Sequence, residues 1–350
     1  MKSSIIAKGF FTKEVNMKIG IIGATGAVGK VFLSLLPDSN LEISDLKLTA
    51  STRSIGKKIK YENKEYTIQE HNDDFYNDLD YVFSSASSEV SKIAAQKSKE
   101  HNVIMIDDSS EFRLDEDVPL VVPEINSQEL NNHNGIVAIP NCTTTPLAMI
   151  LDAVRSDYKI KRVIVDTYQA VSGTGNLAIE ELLNQTKHYL ENGTNSNEKE
   201  VYPHNIGLNL IPHVEAPQDN LYTKEEMKML YETRKILSDN ELRVSATCVR
   251  VPVIRCHSES INIEFNQEPD ITKISELLQN YPGISLLDDI QNNTYPTPVF
   301  GEGKEDVYVG RLRKDISNHN AINLWAVSDN LIKGAALNAI QILEEFEKIG

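Results

Sequence analysis

Between Met17 and Asn141, short apolar runs of strand length alternate with longer stretches that have a helical pattern. Ala27–Leu36 and Glu89–Glu100 are the clearest of these predicted helices. Strands that alternate with helices are typical of a parallel, doubly wound sheet, so we predict a Rossmann-like α/β fold for this part of the chain. The predicted strands are Lys18–Ile22, Leu46–Ala50, Tyr81–Phe83, Val103–Ile106 and Ile136–Ile139.

After Cys142 the pattern changes to longer apolar runs that are separated by polar segments. These runs indicate a mixed, largely antiparallel sheet within an α+β domain. The polar segments Glu191–Glu200 and Gln291–Thr297 are predicted to be loops. The predicted strands are Arg162–Ala170, Val244–Val253 and Glu259–Phe265.

The 350 residues therefore divide into two predicted domains, which the length also suggests. The first domain spans residues 17–141 and is completed by an alanine- and leucine-rich C-terminal helix within residues 329–350. The second domain spans residues 142–328. Residues 1–16 lack the apolar segment and cleavage site of a signal peptide, so we expect a disordered extension or an upstream-start artefact there, with a short targeting segment as the alternative.

The composition restricts the partners of this protein. Its net charge of −16 argues against broad binding to nucleic acids or anionic membranes, and no stretch approaches the ~20 apolar residues of a membrane span. Cys142, Cys248 and Cys256 form no Cys-x-x-Cys pair, and an odd number suits a reducing cytoplasm better than a disulfide framework. We therefore expect a cytoplasmic protein with a small-molecule substrate, and the sequence suggests no metal site.

The segment Gly23-Ala-Thr-Gly26-Ala-Val-Gly29 follows the first predicted strand and opens the first predicted helix. Glycines at this spacing permit a tight turn and a close approach to a pyrophosphate, which then faces the helix N-terminus. In this position the motif favours dinucleotide binding over an ordinary glycine turn.

Ser51, Arg53 and Ser54 follow the second predicted strand, where an NAD-specific fold usually has an acidic residue for the ribose 2′-hydroxyl. One basic and two hydroxyl side chains suit a 2′-phosphate instead, so we predict NADP rather than NAD. The alternative is that Arg53 is only a solvated loop charge.

Cys142 is the strongest candidate for a nucleophile. An apolar run ends at Pro140 and a predicted helix opens with Pro146 in its first turn, so the thiol would lie at a helix N-terminus. The helix dipole and the free N–H groups would lower the thiol pKa and could stabilise an oxyanion. The alternative is a small buried hydrophobe, which is what most single cysteines are.

Two other segments carry charges suited to a substrate site. Arg113 follows a predicted strand and offers a planar donor fork for a phosphate or carboxylate, although a surface ion pair is the simpler interpretation. Glu225 and Lys228 are spaced i,i+3 on a helical pattern, so they can share a face. Such a face is usually charged and exposed to solvent.

Gln169 ends a predicted strand and can hydrogen-bond a substrate carbonyl or amine, unless it belongs to an ordinary strand and turn. Arg250 and His257 would lie on opposite faces of one strand, unless a turn or bulge after Pro252 brings them together. His257 suits acid–base chemistry near neutral pH, although single histidines are more often structural.

Six segments in the same order closely resemble the aspartate-semialdehyde dehydrogenase family, from Met17 essentially to the C-terminus. The first three are Gly-Ala-Thr-Gly-Ala-Val-Gly at 23–29, Val-Pro-Glu-Ile-Asn at 122–126 and Pro-Asn-Cys-Thr-Thr at 140–144. The others are Val-Ser-Ala-Thr-Cys-Val-Arg at 244–250, His-Ser-Glu-Ser at 257–260 and Ser-Asp-Asn-Leu-Ile-Lys-Gly-Ala-Ala at 328–336.

The resemblance implies reversible, NADP-dependent reductive dephosphorylation of 4-phospho-L-aspartate to L-aspartate 4-semialdehyde. Cys142 would displace phosphate and form an acyl-enzyme, Gln169 would position the thioester carbonyl, and His257 would be the acid–base residue. Arg250 would hold the substrate α-carboxylate, and Glu225 would bind the substrate amine or orient nearby groups. The remaining implied contacts to substrate or phosphate are Arg113, Lys228 and Asn141.

The resemblance also implies a homodimer, or a dimer of dimers, through the second domain. Two positions depart from the family pattern, since Ala86 replaces a usual glycine and Thr174 a usual alanine. The implied cofactor contacts are Gly23, Thr25, Gly26, Ala27, Val28, Ser51, Arg53, Ser54, Ser85, Ser172, Gly173 and Asn330.

Two alternatives to this function are open at the sequence level. The first alternative is another reductase with the same fold. It could be malonyl-CoA reductase, which acts on an acyl thioester, or an acyl-phosphate reductase such as N-acetyl-glutamyl-phosphate reductase. A non-catalytic dinucleotide-binding scaffold could also keep the fold, since fold alone does not determine function. A scaffold should have lost at least one of Cys142, Gln169, Arg250 and His257.

Overall fold

The computed structural model describes residues 17–349, so the expected extension over residues 1–16 lies outside the described part. Within it the chain forms two sheets. The first sheet is mostly parallel and the second is mixed and largely antiparallel, which confirms the predicted fold class. Among these residues, no helix is both long and apolar enough to cross a membrane.

The first sheet brings together the strands of the N-terminal half. Along the chain they are accompanied by the helices α1 (Ala27–Leu35), α2 (Ser88–Glu100) and α3 (Pro123–Asn126). The strands are β1 (Met17–Ile22), β2 (Ile43–Thr49), β3 (Lys58–Tyr61), β4 (Lys64–Gln69), β5 (Tyr81–Ser84), β6 (Ile104–Asp107) and β7 (Ile136–Ala138). Their order is β3-β4-β2-β1-β5-β6-β7, and only the β3–β4 pair is antiparallel.

The second sheet has the order β11-β12-β13-β10-β8-β9. Its strands are β8 (Ile160–Gln169), β9 (Val244–Arg250), β10 (His257–Phe265), β11 (Ile284–Leu286), β12 (Val307–Lys314) and β13 (Ala321–Ser328). The helices of this half are α4 (Thr144–Arg155), α5 (Asn176–Asn192), α6 (Lys224–Leu237), α7 (Ile271–Gln279), α8 (Pro298–Gly301) and α9 (Leu337–Ile349).

Each strand that the sequence predicts is present, with ends that differ by up to three residues. Strand β9 ends at Arg250 rather than Val253, because Pro252 has no N–H to donate to a neighbouring strand. The β3–β4 hairpin was not among the predicted strands. Its Lys and Glu side chains are largely exposed, so its apolar alternation is weak.

Helix α4 is apolar because it is buried in the core of the second half. Leu147, Ile150 and Leu151 are inaccessible and belong to one cluster with Val163 of β8 and Ile261 of β10. A helix packed in this way is held rigidly. It therefore fixes the residues that directly precede its N-terminus.

The C-terminal segment returns to the first sheet, as expected. Ile340 and Leu343 of α9 share a core cluster with Phe32 of α1. The segment does not begin as an α-helix at Asp329 but as a π-helical turn over Ile332–Ala336. Such turns occur frequently at functional sites.

Candidate active site

A cavity of about 600 Å³ opens where the carboxyl ends of the first sheet meet the second sheet. Its walls come from the loops after β5, β6 and β7 and from the ends of β8, β9 and β10. Doubly wound sheets bind ligands at this edge. All the predicted catalytic and substrate-binding residues line the cavity, namely Arg113, Asn141, Cys142, Gln169, Glu225, Lys228, Arg250 and His257.

Cys142 lies between β7 and the first turn of α4, as predicted. The N–H groups of Thr144 and Thr145 donate to the Asn141 carbonyl at 2.8 and 3.0 Å. These bonds turn the chain into the helix directly after Pro140. The thiol is consequently held at the helix N-terminus and faces the cavity.

The predicted lowering of the thiol pKa is wrong. Burial and the negative charge of Glu225 raise the pKa of Cys142 to about 12, and the positive charges of Arg113 and Arg250 oppose this only in part. The helix terminus is therefore not the dominant influence on this thiol.

Three neighbouring strands of the second sheet end or begin at the same edge of that sheet. This arrangement brings Gln169, Arg250 and His257 together. Gln169 at the end of β8 pairs with Arg250 at the end of β9. The antiparallel register of β8 and β10 places His257 beside Gln169 on its other side. Arg250 and His257 are thus not on one strand, and the chain turns after Pro252, as the sequence allowed.

His257 is held as a hydrogen-bond donor toward the cavity. The Ala170 N–H donates to His257 Nδ1 at 3.0 Å, so the neutral ring carries its proton on Nε2. A Cβ built on Gly173 would lie 3.2 Å from Nε2, so the glycine keeps this edge of the ring accessible. Burial and the charge of Arg250 lower the pKa of His257 to about 3. The expected titration near neutral pH is therefore wrong.

Helix α6 directs Glu225 and Lys228 into the cavity, so the interpretation as a solvent face is wrong. Both side chains are buried, and Lys228 Nζ lies 3.1 Å from Glu225 Oε2. Asn141 Nδ2 and Gln169 Nε2 donate to Glu225 Oε1 at 2.8 and 2.9 Å. Although burial alone would raise it, the Lys228 charge and these amides lower the pKa of Glu225 to about 2.

Arg113 is buried, so its interpretation as a surface ion pair is also wrong. Its guanidinium donates to Glu232 Oε1 at 3.3 Å and to the Asp108 carbonyl at 2.8 Å, and its Nε has no hydrogen-bond partner within residues 17–349. Glu232 also accepts the Asn141 N–H at 2.7 Å. Glu232 therefore links Arg113 to the segment that contains Asn141 and Cys142.

Sequence reasoning missed Glu232. The signal was present, because Glu225, Lys228 and Glu232 occupy positions i, i+3 and i+7 of α6 and so share one helix face. That face was interpreted as solvated, so its third member was not considered.

Gly334 is a second residue that sequence reasoning missed. A Cβ built on it would lie 2.7 Å from Cys142 Cβ and 3.0 Å from Cys142 Cα, so only glycine fits against Cys142. Its neighbour Lys333 is anchored, since Nζ lies 2.7 Å from both Glu124 carboxylate oxygens and from Gln341 Oε1. The sequence motif at 328–336 contained Gly334 but did not show what it touches.

The loop between β1 and α1 has the shape that a pyrophosphate requires. Gly23 has φ +92°, and a Cβ on it would lie 2.2 Å from the Ser85 carbonyl oxygen. At Gly26, the N-cap of α1, a Cβ would meet only the Gly23 carbonyl oxygen, at 3.1 Å. No side chain of the described residues caps this helix, whose first turn contains Ala27 and Val28. The loop therefore fits a dinucleotide.

The segment after β2 lies beside this loop. Thr25 Oγ1 and Ser54 Oγ are 3.4 Å apart, and Arg53 next to Ser54 is exposed, as is Ser51. These side chains surround the place where a Rossmann-like sheet binds the adenosine ribose.

The other predicted cofactor contacts follow β5, β8 and β13. Ser85 Oγ donates to Asp108 Oδ2 at 3.0 Å. Ser172 and Asn330 hydrogen-bond each other, and the Asn330 side chain also accepts the Cys256 N–H at 3.0 Å. Gly173 lines the cavity beside His257.

Over residues 17–349, no cluster of His, Cys, Asp or Glu side chains is suited to a metal ion. Cys248 and Cys256 are buried free thiols.

Two domain models match most of the chain. The semialdehyde dehydrogenase NAD-binding domain matches residues 18–133, and the semialdehyde dehydrogenase dimerisation domain matches residues 151–333. An aspartate-semialdehyde dehydrogenase from Aquifex aeolicus is 45% identical over 336 residues, which cover 95% of this chain and 98% of that protein. The chain belongs to the aspartate-semialdehyde dehydrogenase family.

Solved structures of aspartate-semialdehyde dehydrogenases have the same fold. Aspartate semialdehyde dehydrogenase II from Vibrio cholerae, complexed with ASA, has a TM-score of 0.91 and 39% identity over 95% of this chain and 98% of that chain. The enzyme from Candida albicans with NADP has a TM-score of 0.73 and 26% identity over 96% of this chain and 100% of that chain. This family member is therefore an oxidoreductase with a nicotinamide-cofactor domain and a dimerisation domain.

Proposed function

We propose that the chain catalyses the reversible, NADP-dependent conversion of 4-phospho-L-aspartate to L-aspartate 4-semialdehyde and inorganic phosphate. The observation that carries this proposal is the convergence of Cys142, Gln169, Arg250 and His257 in one cavity with an anchored carboxylate, Glu225. The reaction of an amino-acid acyl phosphate needs a thiol to attack the acyl carbon and a neutral hydrogen-bond donor for the carbonyl oxygen. It also needs a guanidinium to bind the α-carboxylate and a carboxylate to bind the α-ammonium.

Cys142 attacks the acyl carbonyl carbon through its sulfur, the bond from that carbon to the phosphate oxygen breaks, and the thiol proton leaves with the phosphate. The product is a thioester on Cys142 and free phosphate. The nicotinamide, when bound, supplies the hydride that reduces the thioester. His257 donates from Nε2 to the substrate oxygen as negative charge develops there, a role that its neutral state allows. The resulting adduct releases the aldehyde and the thiolate.

The charged groups around the thiol recognise the substrate. Arg250 would bind the α-carboxylate, and Glu225, ionised throughout the physiological range because its pKa is about 2, would bind the α-ammonium. Gln169 hydrogen-bonds Glu225 and so links amine recognition to the position of the thioester. Arg113 and Lys228 would hold the phosphate, with Asn141 beside them.

NADP is the preferred cofactor in this proposal. Arg53 and its flanking serines are close to the glycine loop, and no acidic residue occupies the end of β2. A guanidinium can form a bidentate contact with a 2′-phosphate. Replacing Arg53 with Ala should therefore weaken NADP binding and leave NAD binding nearly unchanged.

A CoA-dependent reductase of the malonyl type is less well supported. A malonyl group has no amine, whereas Glu225 is buried in the cavity wall and anchored by Asn141 and Gln169. A non-catalytic scaffold is also unsupported, because each reactive group is retained and faces the cavity.

The decisive experiment is an assay of NADP reduction with L-aspartate 4-semialdehyde and phosphate, run beside malonate semialdehyde and CoA. We expect activity only with the first pair. Cys142→Ala should abolish turnover and retain NADP binding, whereas Cys248→Ala, which changes a buried thiol outside the cavity, should remain active. Activity with the CoA pair, or a fully active Cys142→Ala variant, would refute the proposal.

A further inference from the structure

Lys228 contacts two carboxylates that differ in how firmly they are held. Glu225 Oε2 lies 3.1 Å from Nζ and belongs to a buried carboxylate that also accepts two amide N–H groups. Glu215 Oε1 lies 2.5 Å from Nζ, and 37% of the Glu215 side chain is exposed. Among the described residues, Lys228 is the only hydrogen-bond partner of the Glu215 carboxylate.

The backbone on either side of Glu215 is held by β-bridges, whereas the Glu215 carboxylate is held only by its contact with Lys228 among the described residues. Ile211 forms a β-bridge with Arg250, and Pro217 forms one with Thr223 directly before α6. Between these bridges Glu215 has φ +64°, a left-handed conformation that is uncommon for Glu. The segment thus delivers this carboxylate to Lys228, and rotation of the side chain alone can take it away.

Under the proposed function, Lys228 binds the phosphate group, so this inference rests on that proposal. A phosphate at Nζ would approach the place that Glu215 Oε1 now occupies. Two anions at one ammonium repel each other, and the repulsion is strong where water is partly excluded. Movement of the Glu225 carboxylate would break its two hydrogen bonds to amide groups, whereas movement of the Glu215 carboxylate would break only its contact with Lys228.

We propose that Glu215 is a displaceable counter-ion that competes with phosphate for Lys228 and thereby sets the affinity of the site for phosphate. Before phosphate binds, it keeps the Lys228 ammonium paired at the cavity wall. When phosphate is the leaving group, Glu215 returns to Lys228 and favours release. Its role is to determine affinity, and no bond of the reaction is made or broken at this residue.

Glu215→Gln tests this role because the amide keeps the shape of the side chain and removes its charge. We expect the Kd of inorganic phosphate, measured by titration calorimetry, to fall about three- to fivefold, as for loss of a half-exposed ion pair. The KM for phosphate in the oxidative direction should fall in parallel. The KM values for L-aspartate 4-semialdehyde and NADP should not follow this change.

Asp219→Asn is the matched control, since it removes the same charge from an exposed position of the same segment that does not line the cavity. Its phosphate Kd should equal that of the unaltered protein. An equal fall in both variants would show a long-range charge effect and overturn the proposal. An unchanged or weaker phosphate affinity in Glu215→Gln would overturn it as well.

Lys228→Met separates failure of this inference from failure of the proposed function. If this variant binds phosphate as well as the unaltered protein, the phosphate role of Lys228 is wrong, and the competition with Glu215 is wrong with it. If Lys228→Met weakens phosphate binding while Glu215→Gln does not strengthen it, only the role of Glu215 is refuted.

Discussion

At the scale of single residues, burial and neighbouring charges decide the state of the thiol. Cys142 lies at a helix N-terminus, a position that favours a thiolate. Its surroundings have the opposite effect, because the site is partly closed to water and Glu225 is ionised beside it. The resting residue is therefore a protonated thiol.

The pH dependence of alkylation checks this state. A thiol with a pKa of about 12 gains thiolate roughly tenfold for each pH unit below that value, so the rate of iodoacetamide labelling should rise continuously between pH 7 and 9. Cys142→Ala should eliminate this labelling, because Cys248 and Cys256 are inaccessible. A rate that levels off below pH 8 would contradict the prediction.

The pKa of His257 is likewise set by the surroundings of the ring rather than by its ordinary value. An ordinary histidine titrates near pH 6.5, but burial and Arg250 keep this ring neutral across the physiological range. The Ala170 N–H selects the tautomer that points its proton into the cavity. The residue is thus prepared to donate, and this follows from a backbone contact that the sequence does not reveal.

At the scale of secondary-structure elements, the π-helical turn at Ile332–Ala336 helps to set the position of Cys142. Its Gly334 contacts Cys142, and Lys333 anchors the turn to Glu124. Contact with backbone leaves little room for adjustment, since the nearest atoms include Cys142 Cα. A turn near the C-terminal end of the described chain therefore supports Cys142.

Gly334→Ala should displace Cys142 without removing any reactive group. We expect kcat to fall by about 10- to 100-fold, because the added methyl group would displace the Cys142 sulfur by roughly 1 Å. NADP binding should be retained. Ala335→Gly is the control, because it alters the same buried turn and adds no atom next to the thiol. Equal losses in both variants, or normal kcat in Gly334→Ala, would show that contact with Cys142 is not the cause.

At the scale of the whole molecule, the exposed apolar side chains of the second half suit the homodimer that the family resemblance implies. Leu183 and Leu190 lie seven residues apart on one exposed face of α5, and Leu190 is 76% exposed. Leu221 is 93% exposed in the segment that precedes α6. Apolar surface of this kind commonly marks an interface between proteins.

Replacing both Leu183 and Leu190 with Lys should weaken the homodimer. Since a buried Leu contributes roughly 1.5–3 kcal/mol, each substitution should raise the dimer Kd about tenfold or more. Light scattering after size-exclusion chromatography would measure the shift toward monomer. Ile93→Lys, at an exposed apolar position of α2 in the first half, should not change the mass. A double variant that stays dimeric would place the interface elsewhere.

The sequence by itself determined the two classes of sheet, the glycine loop and the side chains that we propose to be reactive. These features are local, since strand and helix periodicity, turn residues and motif spacing act over a few neighbouring positions. Cys142 at the start of α4 and Gln169 at the end of β8 could therefore be predicted.

Only the tertiary structure decided which groups are in contact and what charge each of them carries. Gly334 and Glu215 approach the site from other segments of the chain, and the helical pattern that contains Glu232 did not show that its face is buried. The pKa values of Cys142 and His257 depend on burial and on charges from other elements. Desolvation and Coulomb interactions act through space, and that is why the fold had to be known before the chemistry of this site could be stated.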